Sequence, residues 1–390
     1  MIPYATFTYF LVLLYAAVPA LFVGLFGRAF RSLIILTTFG MLAVQYSGTA
    51  RLGPQNPVLE EVWIVGAFAV FQWVLARAFL AVQFAAGRSW YAGAAVGLAL
   101  LPLIAVKLLP FAVPASVIGF LGISYVTFRA LDVVLGIYDR AITSLPPMQY
   151  LAYLLFFPAV SAGPIDRYQR FSEDWERSRS RSEFVNDLSV TMHQVFTGFL
   201  YKFILAASVK QHWLDPAAAD VSLVGTVSYM YAYSAYLFFD FAGYSAFAVG
   251  LSYLFGVRAP ANFKRPFAAH NIREFWNRWH ISLSWWLRDH VYMRFMLIAI
   301  KRRWFRSAPV ASSAGLMLSF LLMGLWHGAE PRYLIYGLYH GALLVGYEAF
   351  SRWNRQRKLW GDGPLWRAAG TVLTVQVVCF GFLVFSGRLG

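Results

Sequence analysis

Charge is what this sequence has least of. Of its 390 residues only 13% are charged, against 59% apolar and 18% aromatic. An ordinary soluble domain carries about 25% charged residues, and so little polar surface could not screen so much apolar surface from water. In a bilayer the difficulty disappears, because lipid covers the outside. Cysteine is nearly absent too: Cys379 is the only one. That excludes a disulfide framework and a cysteine-based zinc site, and in its apolar stretch Cys379 reads as an inert buried residue. There is no Walker loop and no dinucleotide fingerprint. His193, His212, His270 and His290 lack a helical i, i+4 partner, and no carboxylate–histidine cluster has ligand spacing. No metal and no permanently bound cofactor is therefore expected. Met1 to Gly24 lacks the positive region of a cleaved leader and reads as a first permanent span.

The charge that is present is mostly positive, with a formal net of +15. On a soluble protein this would suggest nucleic acid. Here the cations sit in short loops beside apolar runs, the pattern of topology signals and anionic head-group contact. The expected partner is the lipid bilayer, and nucleic acid is not expected. Apolar segments fall at about 4–26, 32–50, 58–86, 90–109, 111–137, 147–165, 188–209, 222–256, 284–300, 309–328, 332–350 and 368–387. A span needs roughly 20 residues, and open strands cannot face lipid. The expected fold is all-α and integral to the membrane, one polytopic domain over 1–390. Within it, 1–110 would supply N-terminal helices, 111–350 the core, and 351–390 a basic loop and the last helix.

Orientation follows from the cations. Arg28 and Arg31, Arg77 and Arg88, Arg167 to Arg181, Lys301 to Arg306, and Arg352 to Arg367 should all be cytoplasmic. With the N-terminus outside, simple alternation fails at 147–165 and 284–300, so each is expected to be short, broken or re-entrant. Pro158 and Gly163-Pro164 interrupt the first. Irregular backbone at membrane depth is tolerated only inside protein or along a cavity, so a cavity is expected. The polar stretch 166–187 reads as a cytoplasmic loop or surface helix. The stretch 257–290 mixes cations with tryptophans and reads as a helix lying in the interface.

Ionisable residues within the apolar segments are functional candidates. His327 ends a long apolar segment in Met323-Gly324-Leu325-Trp326-His327-Gly328. The bland reading is a hydrogen-bonded helix-end histidine. Against it, Gly324 and Gly328 would let a substrate or another backbone approach closely, and His340 follows in Tyr336-Gly337-Leu338-Tyr339-His340-Gly341. The run Glu274 to Asp289 holds Asn277, Arg278, His280, Arg288 and Asp289 among tryptophans. Interfacial anchoring accounts for most of these, but an arginine or lysine would anchor better than His280. In Phe239-Asp240-Phe241-Ala242-Gly243-Tyr244-Ser245, Asp240 is costly to bury as a charge. It either caps a helix break marked by Gly243 or lines a cavity. Ser161 to Tyr168 reads as a turn followed by a helix start.

Taken together, these strings resemble the membrane-bound O-acyltransferase superfamily, and within it the members that transfer D-alanine to teichoic acids. The strings are Ser124 to Arg129, Ser161 to Phe171, Phe239 to Ser245, Phe275 to Arg294 and Met323 to Gly341, in family order over the C-terminal two-thirds of the chain. The first hundred residues match only in hydropathy. The resemblance implies a ring of about ten to twelve transmembrane helices, with re-entrant segments, around a central funnel and tunnel. It implies His327 as the superfamily histidine and His280 as the second catalytic position. Asp240, Tyr244, Asn277, Arg278, Asp289, Trp326, Tyr336 and His340 become candidates for lining the tunnel. The donor would be the phosphopantetheine thioester of an acidic cytoplasmic D-alanyl carrier protein, docked by Lys301, Arg302 and Arg303. Those three also read as a plain positive-inside signal. A membrane-anchored extracytoplasmic transfer partner and the bacterial cytoplasmic membrane complete the picture. His327 is the expected general base, and Asp289 is available to orient His280.

Two other functions fit parts of the pattern. An alginate-type polysaccharide O-acetyltransferase would share His327 and much of the core, although the Ser161–Phe171 string favours D-alanyl transfer. A transporter or flippase would use the cavity for alternating access, and the lack of an inverted repeat speaks against it.

Overall fold

The computed structural model describes residues 2–47, 60–86, 89–112, 120–361 and 363–389, and no strand occurs among them. Among the described residues, each apolar segment of the sequence contains helix. In order these are α1 Phe7–Leu25, α2 Arg31–Ser47, α3 Glu60–Ala86, α4 Ser89–Ala112, α5 Ile123–Tyr138, α6 Pro147–Leu154, α7 Tyr168–Glu176 and α8 Arg181–Phe199. Then follow α9 Ala207–Val209, α10 Asp215–Ala219, α11 Leu223–Leu254, α12 Ile272–Trp276, α13 Ile281–Leu287, α14 Met293–Lys301, α15 Ala308–His327, α16 Pro331–Arg357 and α17 Pro364–Ser386. Among the described residues, six helical stretches are long and apolar enough to cross a membrane: Phe7–Leu25, Val62–Gln83, Trp90–Lys107, Leu223–Leu254, Ala308–His327 and Pro364–Ser386. Arg88 and the start of the expected 111–137 segment, residues 113–119, lie outside the described residues.

The chain forms two compact units: Met1–Gly198 with Tyr244–Pro260, and Phe199–Gly243 with Ala261–Gly390. In the first unit the segment 147–165 is broken, as its prolines and glycine require. Helix α6 stops after eight residues, and a 3-10 turn at Phe157–Ala159 follows. A helix end leaves carbonyls without partners, and here a buried arginine supplies them. Arg129 of α5, 1% exposed, donates to the carbonyls of Tyr153 and Leu154 at 3.3 Å, Ala159 at 2.9 Å and Pro164 at 3.5 Å. One turn on, Asp132 accepts from Arg167 Nη1 at 2.8 Å and from the Tyr168 backbone N–H at 2.9 Å. The stretch after Gly163-Pro164 becomes the amphipathic helix α7, whose Tyr168, Phe171 and Trp175 are buried.

In the second unit two expectations need correction. The segment 284–300 is not short or broken: α13 and α14 are joined by a π-helical turn, Arg288–Tyr292, in which the backbone stays right-handed helical. Widening the helix at Arg288-Asp289-His290 accommodates the polar triplet without a break. Nor is 257–290 a single interfacial helix. Only Ile272–Trp276 and a 3-10 turn at Pro266–Ala268 are helical before α13, and Trp276, Trp279 and Trp286 are buried rather than anchoring in the interface. Backbone pairing explains it: the Lys264 N–H donates to Arg278 O and the Ile281 N–H to Asn262 O, both at 2.9 Å, which ties the chain into a doubled loop.

Helices α15 and α16 pack through glycine. A Cβ on Gly324 would strike the Tyr333 carbonyl, and one on Gly337 would strike the Phe320 carbonyl. Gly337 and Gly341 form a GxxxG ridge, the small-residue contact that brings membrane helices together when no hydrophobic drive exists between them. Of the two readings of the glycines beside His327, the approach of another backbone is the one realised at Gly324. Cys379 is buried beside Met230 and Leu383.

Candidate active site

The second unit holds a partly open cavity of about 60 Å³. Its wall comes from four parts of the chain: Leu237 and Phe241 of α11; Trp276, Trp279, His280 and Leu283 of the doubled loop and α13; Met323 and His327 of α15; and Tyr336, Phe382 and Phe385 of α16 and α17. Both candidate histidines therefore line one cavity, although a separation of 47 positions would be a poor guide from spacing alone.

His280 is 4% exposed and takes a left-handed backbone, φ 43° and ψ 52°, immediately before α13. Histidine tolerates this region better than branched residues do, and such strain gathers at functional sites. Its ring is fixed by Asn262. The Oδ1 of Asn262 accepts from the Ser282 backbone N–H at 3.3 Å and from the Ser282 hydroxyl at 2.8 Å, and it lies 3.2 Å from His280 Nδ1. The Ser282 N–H identifies this amide atom as the oxygen, and an amide oxygen has no hydrogen to donate, so Nδ1 carries the proton and Nε2 carries the lone pair. Phe241 meets the imidazole edge-to-face at 4.9 Å. His280 lies outside the six long apolar helices. Burial, and secondarily the nearby His327, push its imidazole down to about 3, so it is neutral at neutral pH.

His327 is half-buried at the end of α15. Its ring packs against Trp326 at 4.5 Å, edge-on to Phe385 at 4.9 Å, and near-parallel to Tyr333 at 6.1 Å. Tyr333 is itself capped by the Arg332 guanidinium at 4.8 Å. A half-buried imidazole in an aromatic frame, opposite a neutral imidazole of fixed tautomer, is equipped for proton transfer to or from a substrate in the cavity.

The other candidates sort cleanly. Tyr336 lines the cavity. Trp326 does not, but it touches His327 and lies 6.3 Å from His280. His340 is fully buried behind Trp276 and Tyr336, at 5.1 and 4.6 Å between rings. Asp240 is neither a cap nor part of this wall: α11 runs unbroken through it, and its carboxylate pairs with Lys202 at 2.5 Å. Tyr244 belongs to the first unit, where it bonds the Ser161 hydroxyl. Asn277 is exposed, and Arg278 pairs with Glu274 one helical turn back. Asp289 is not the group that holds His280 Nδ1; it accepts from its neighbour Arg288 at 2.8 Å, while Asn262 does the orienting. Lys301, Arg302 and Arg303 are exposed at the end of α14.

Several residues of the site carried no signal in the sequence. Asn262 sits in a loop with no motif around it. Phe382 and Phe385, three apart on α17, look like any lipid-facing pair.

The family model for MBOAT, the membrane-bound O-acyltransferase family, matches residues 58–383. The chain belongs to this family and is an O-acyltransferase. It is similar to the teichoic acid D-alanyltransferase of Bacillus subtilis (strain 168), 39% identical over 399 aligned residues that cover 100% of this chain and 98% of that protein. The protein of the same name from Lacticaseibacillus rhamnosus is 36% identical, with 99% of this chain and 97% of that one covered. These alignments run through the first hundred residues, where hydropathy alone had matched. The probable alginate O-acetylase of Pseudomonas syringae pv. tomato is 35% identical, but over 58% of this chain and 42% of its own length.

Proposed function

We propose that this protein moves D-alanine from the phosphopantetheine thioester of an acidic cytoplasmic carrier protein, across the membrane, to a hydroxyl of a cell-envelope acceptor of the teichoic-acid type. The observation that carries the reading is the end-to-end likeness to teichoic acid D-alanyltransferases. The bacterial cytoplasmic membrane is the setting, and a membrane-anchored extracytoplasmic partner would take the chemistry on to the final polymer.

The residues can carry the reaction without a metal. The acceptor hydroxyl is a poor nucleophile until a base takes its proton, and His327 is that base. The hydroxyl oxygen forms a bond to the thioester carbonyl carbon, the carbon–sulfur bond breaks, and the proton held on His327 passes to the departing thiolate. A positioned imidazole contributes about 10²–10⁴-fold to such a step. His280, with its lone pair on Nε2, accepts a hydrogen bond from a different donor on the substrates, such as the D-alanyl ammonium, because the single proton of the reacting hydroxyl goes to His327. Holding both substrates at one small cavity supplies the proximity term.

The test uses purified protein, D-alanyl carrier protein and an acceptor preparation, with thioester loss followed over time. His327→Ala is expected to lower the rate by about 10²–10⁴-fold without lowering thermal stability. An unchanged rate would remove His327 from the mechanism. A second reading, polysaccharide O-acetylation, draws on the partial likeness to alginate O-acetylases. It gains if an acetyl donor is consumed while the D-alanyl carrier is not.

A further inference from the structure

His340 is the least comfortable residue in the second unit. It is 0% exposed, and neither Nδ1 nor Nε2 has a hydrogen-bond partner among the described residues. Trp276, 6% exposed and perpendicular to the His340 ring at 5.1 Å, has an Nε1 that is equally unpartnered. Leaving a buried polar group unpaired destabilises the fold, because the group gives up its bonds to water and gains none. Phenylalanine would fill the same space without that cost. The fold nonetheless makes room for the imidazole: a Cβ on Gly381 would collide with His340 Nε2.

The cavity beside it is too small for its task. About 60 Å³ accommodates a few water molecules, whereas ligand pockets span roughly 300–1,000 Å³. The wall must therefore yield when an acylated arm enters. Where it yields is decided by what each part of the wall gains. Phe241, Leu283, Met323, Phe382 and Phe385 are apolar, and separating them only exposes apolar surface. At Trp276 and Tyr336 the wall stands directly in front of His340. Opening there gives three orphaned nitrogens a partner. Trp276 also ends the five-residue helix α12, a short element that can shift more readily than the long helices.

We propose that the substrate cavity opens toward His340 on loading, by displacement of Trp276, and that His340 is a positioning residue in the enlarged pocket. The pocket presents an imidazole N–H, an imidazole nitrogen lone pair and an indole N–H. That set matches a ligand group with both a carbonyl oxygen and an N–H, such as an amide of the thioester arm. The inference rests on the reading of the 280/327 cavity as the active centre.

The experiment measures donor kinetics with D-alanyl carrier protein and melting temperature in detergent, for His340→Phe, His340→Gln and His327→Ala. His340→Phe is expected to raise the melting temperature by about 2 °C and to raise KM for the donor about five- to tenfold, the equivalent of one neutral hydrogen bond. Because the lost contact is uniform binding, kcat should stay within about twofold. His340→Gln, which returns a donor and an acceptor, should restore most of the KM. Unchanged KM in both variants overturns the proposal, and so does a fall in stability and kcat in both, which would make His340 plain packing. Retained activity in His327→Ala would instead sink the active-centre reading, and the proposal with it.

Discussion

The two units hold their buried ionisable groups differently. In the first, the buried charges around Asp174 and Asp187 are arranged as a closed set. Arg179, 1% exposed at its side chain, lies between Asp174 at 2.8 Å and Asp187, and donates to the Gly256 carbonyl at 2.5 Å. Arg258 completes the ring through Asp187 at 3.3 Å and, by its backbone N–H, Asp174 at 2.7 Å. Arg170 joins Asp174 to Asp166. In the second unit the polar side chains around the cavity are sparse: His280 on Asn262, His327 in an aromatic frame, His340 with no hydrogen-bond partner among the described residues. Saturated networks hold a shape. Groups left short of partners, in a hole of the right kind, are where chemistry or binding is to be sought.

The sharpest way to break the contrast is to remove a member from each side. Arg179→Ala leaves Asp174 and Asp187 as buried carboxylates without their central cation. Breaking a buried ion pair in this way costs about 3–5 kcal/mol. The expected outcome is a large loss of folded yield and melting temperature, with the molecules that do fold keeping their KM and kcat. The opposite pattern, normal stability with lost turnover, would show that the first unit's charges serve the reaction.

The complementary change on the other side is Asn262→Ala. It removes the oxygen that fixes the His280 tautomer and leaves the ring free to place its proton on Nε2. Stability should change little beyond the loss of one cap-like contact, about 1 kcal/mol. Turnover should fall about tenfold, and Asn262→Asp, which keeps the accepting oxygen, should lose less. Equal turnover in Asn262→Ala and the parent would mean that the tautomer of His280 is irrelevant to the rate.

The comparison also explains what the sequence could disclose. Helical spans were legible because lipid imposes length and apolarity, and the break at 147–165 was legible because Pro158 and Gly163-Pro164 act locally. His327 stood out as an ionisable residue at the end of an apolar segment, and His280 as a histidine where an interfacial anchor would be arginine or lysine. What was hidden depends on tertiary pairing. The 257–290 stretch has the composition of an interfacial helix, yet backbone bonds from Lys264 and Ile281 fold it into a loop that buries its tryptophans. The choice of Asn262 over Asp289 as the partner of His280 follows from the same doubled loop. Asp240 read as either a cap at Gly243 or a cavity-lining group; Lys202, 38 positions away in the chain, is what satisfies it.

The smallest expected effect concerns Lys301, Arg302 and Arg303, exposed where α14 ends. Two roles compete for them. A positive-inside signal acts during insertion and is indifferent to the carrier protein. A docking patch for an acidic carrier acts on encounter, and its contribution fades with salt because exposed charges are screened within about 10 Å at 0.1 M ionic strength. Replacing all three with glutamine separates these roles, since it removes charge without adding the opposite sign. As a docking patch, the variant should insert normally and show KM for the D-alanyl carrier protein raised about fivefold at low salt, the difference closing as salt is added. A variant with unchanged KM at every salt concentration, but with reduced insertion, would return the cluster to topology and move the search for the carrier's contact elsewhere on the same face.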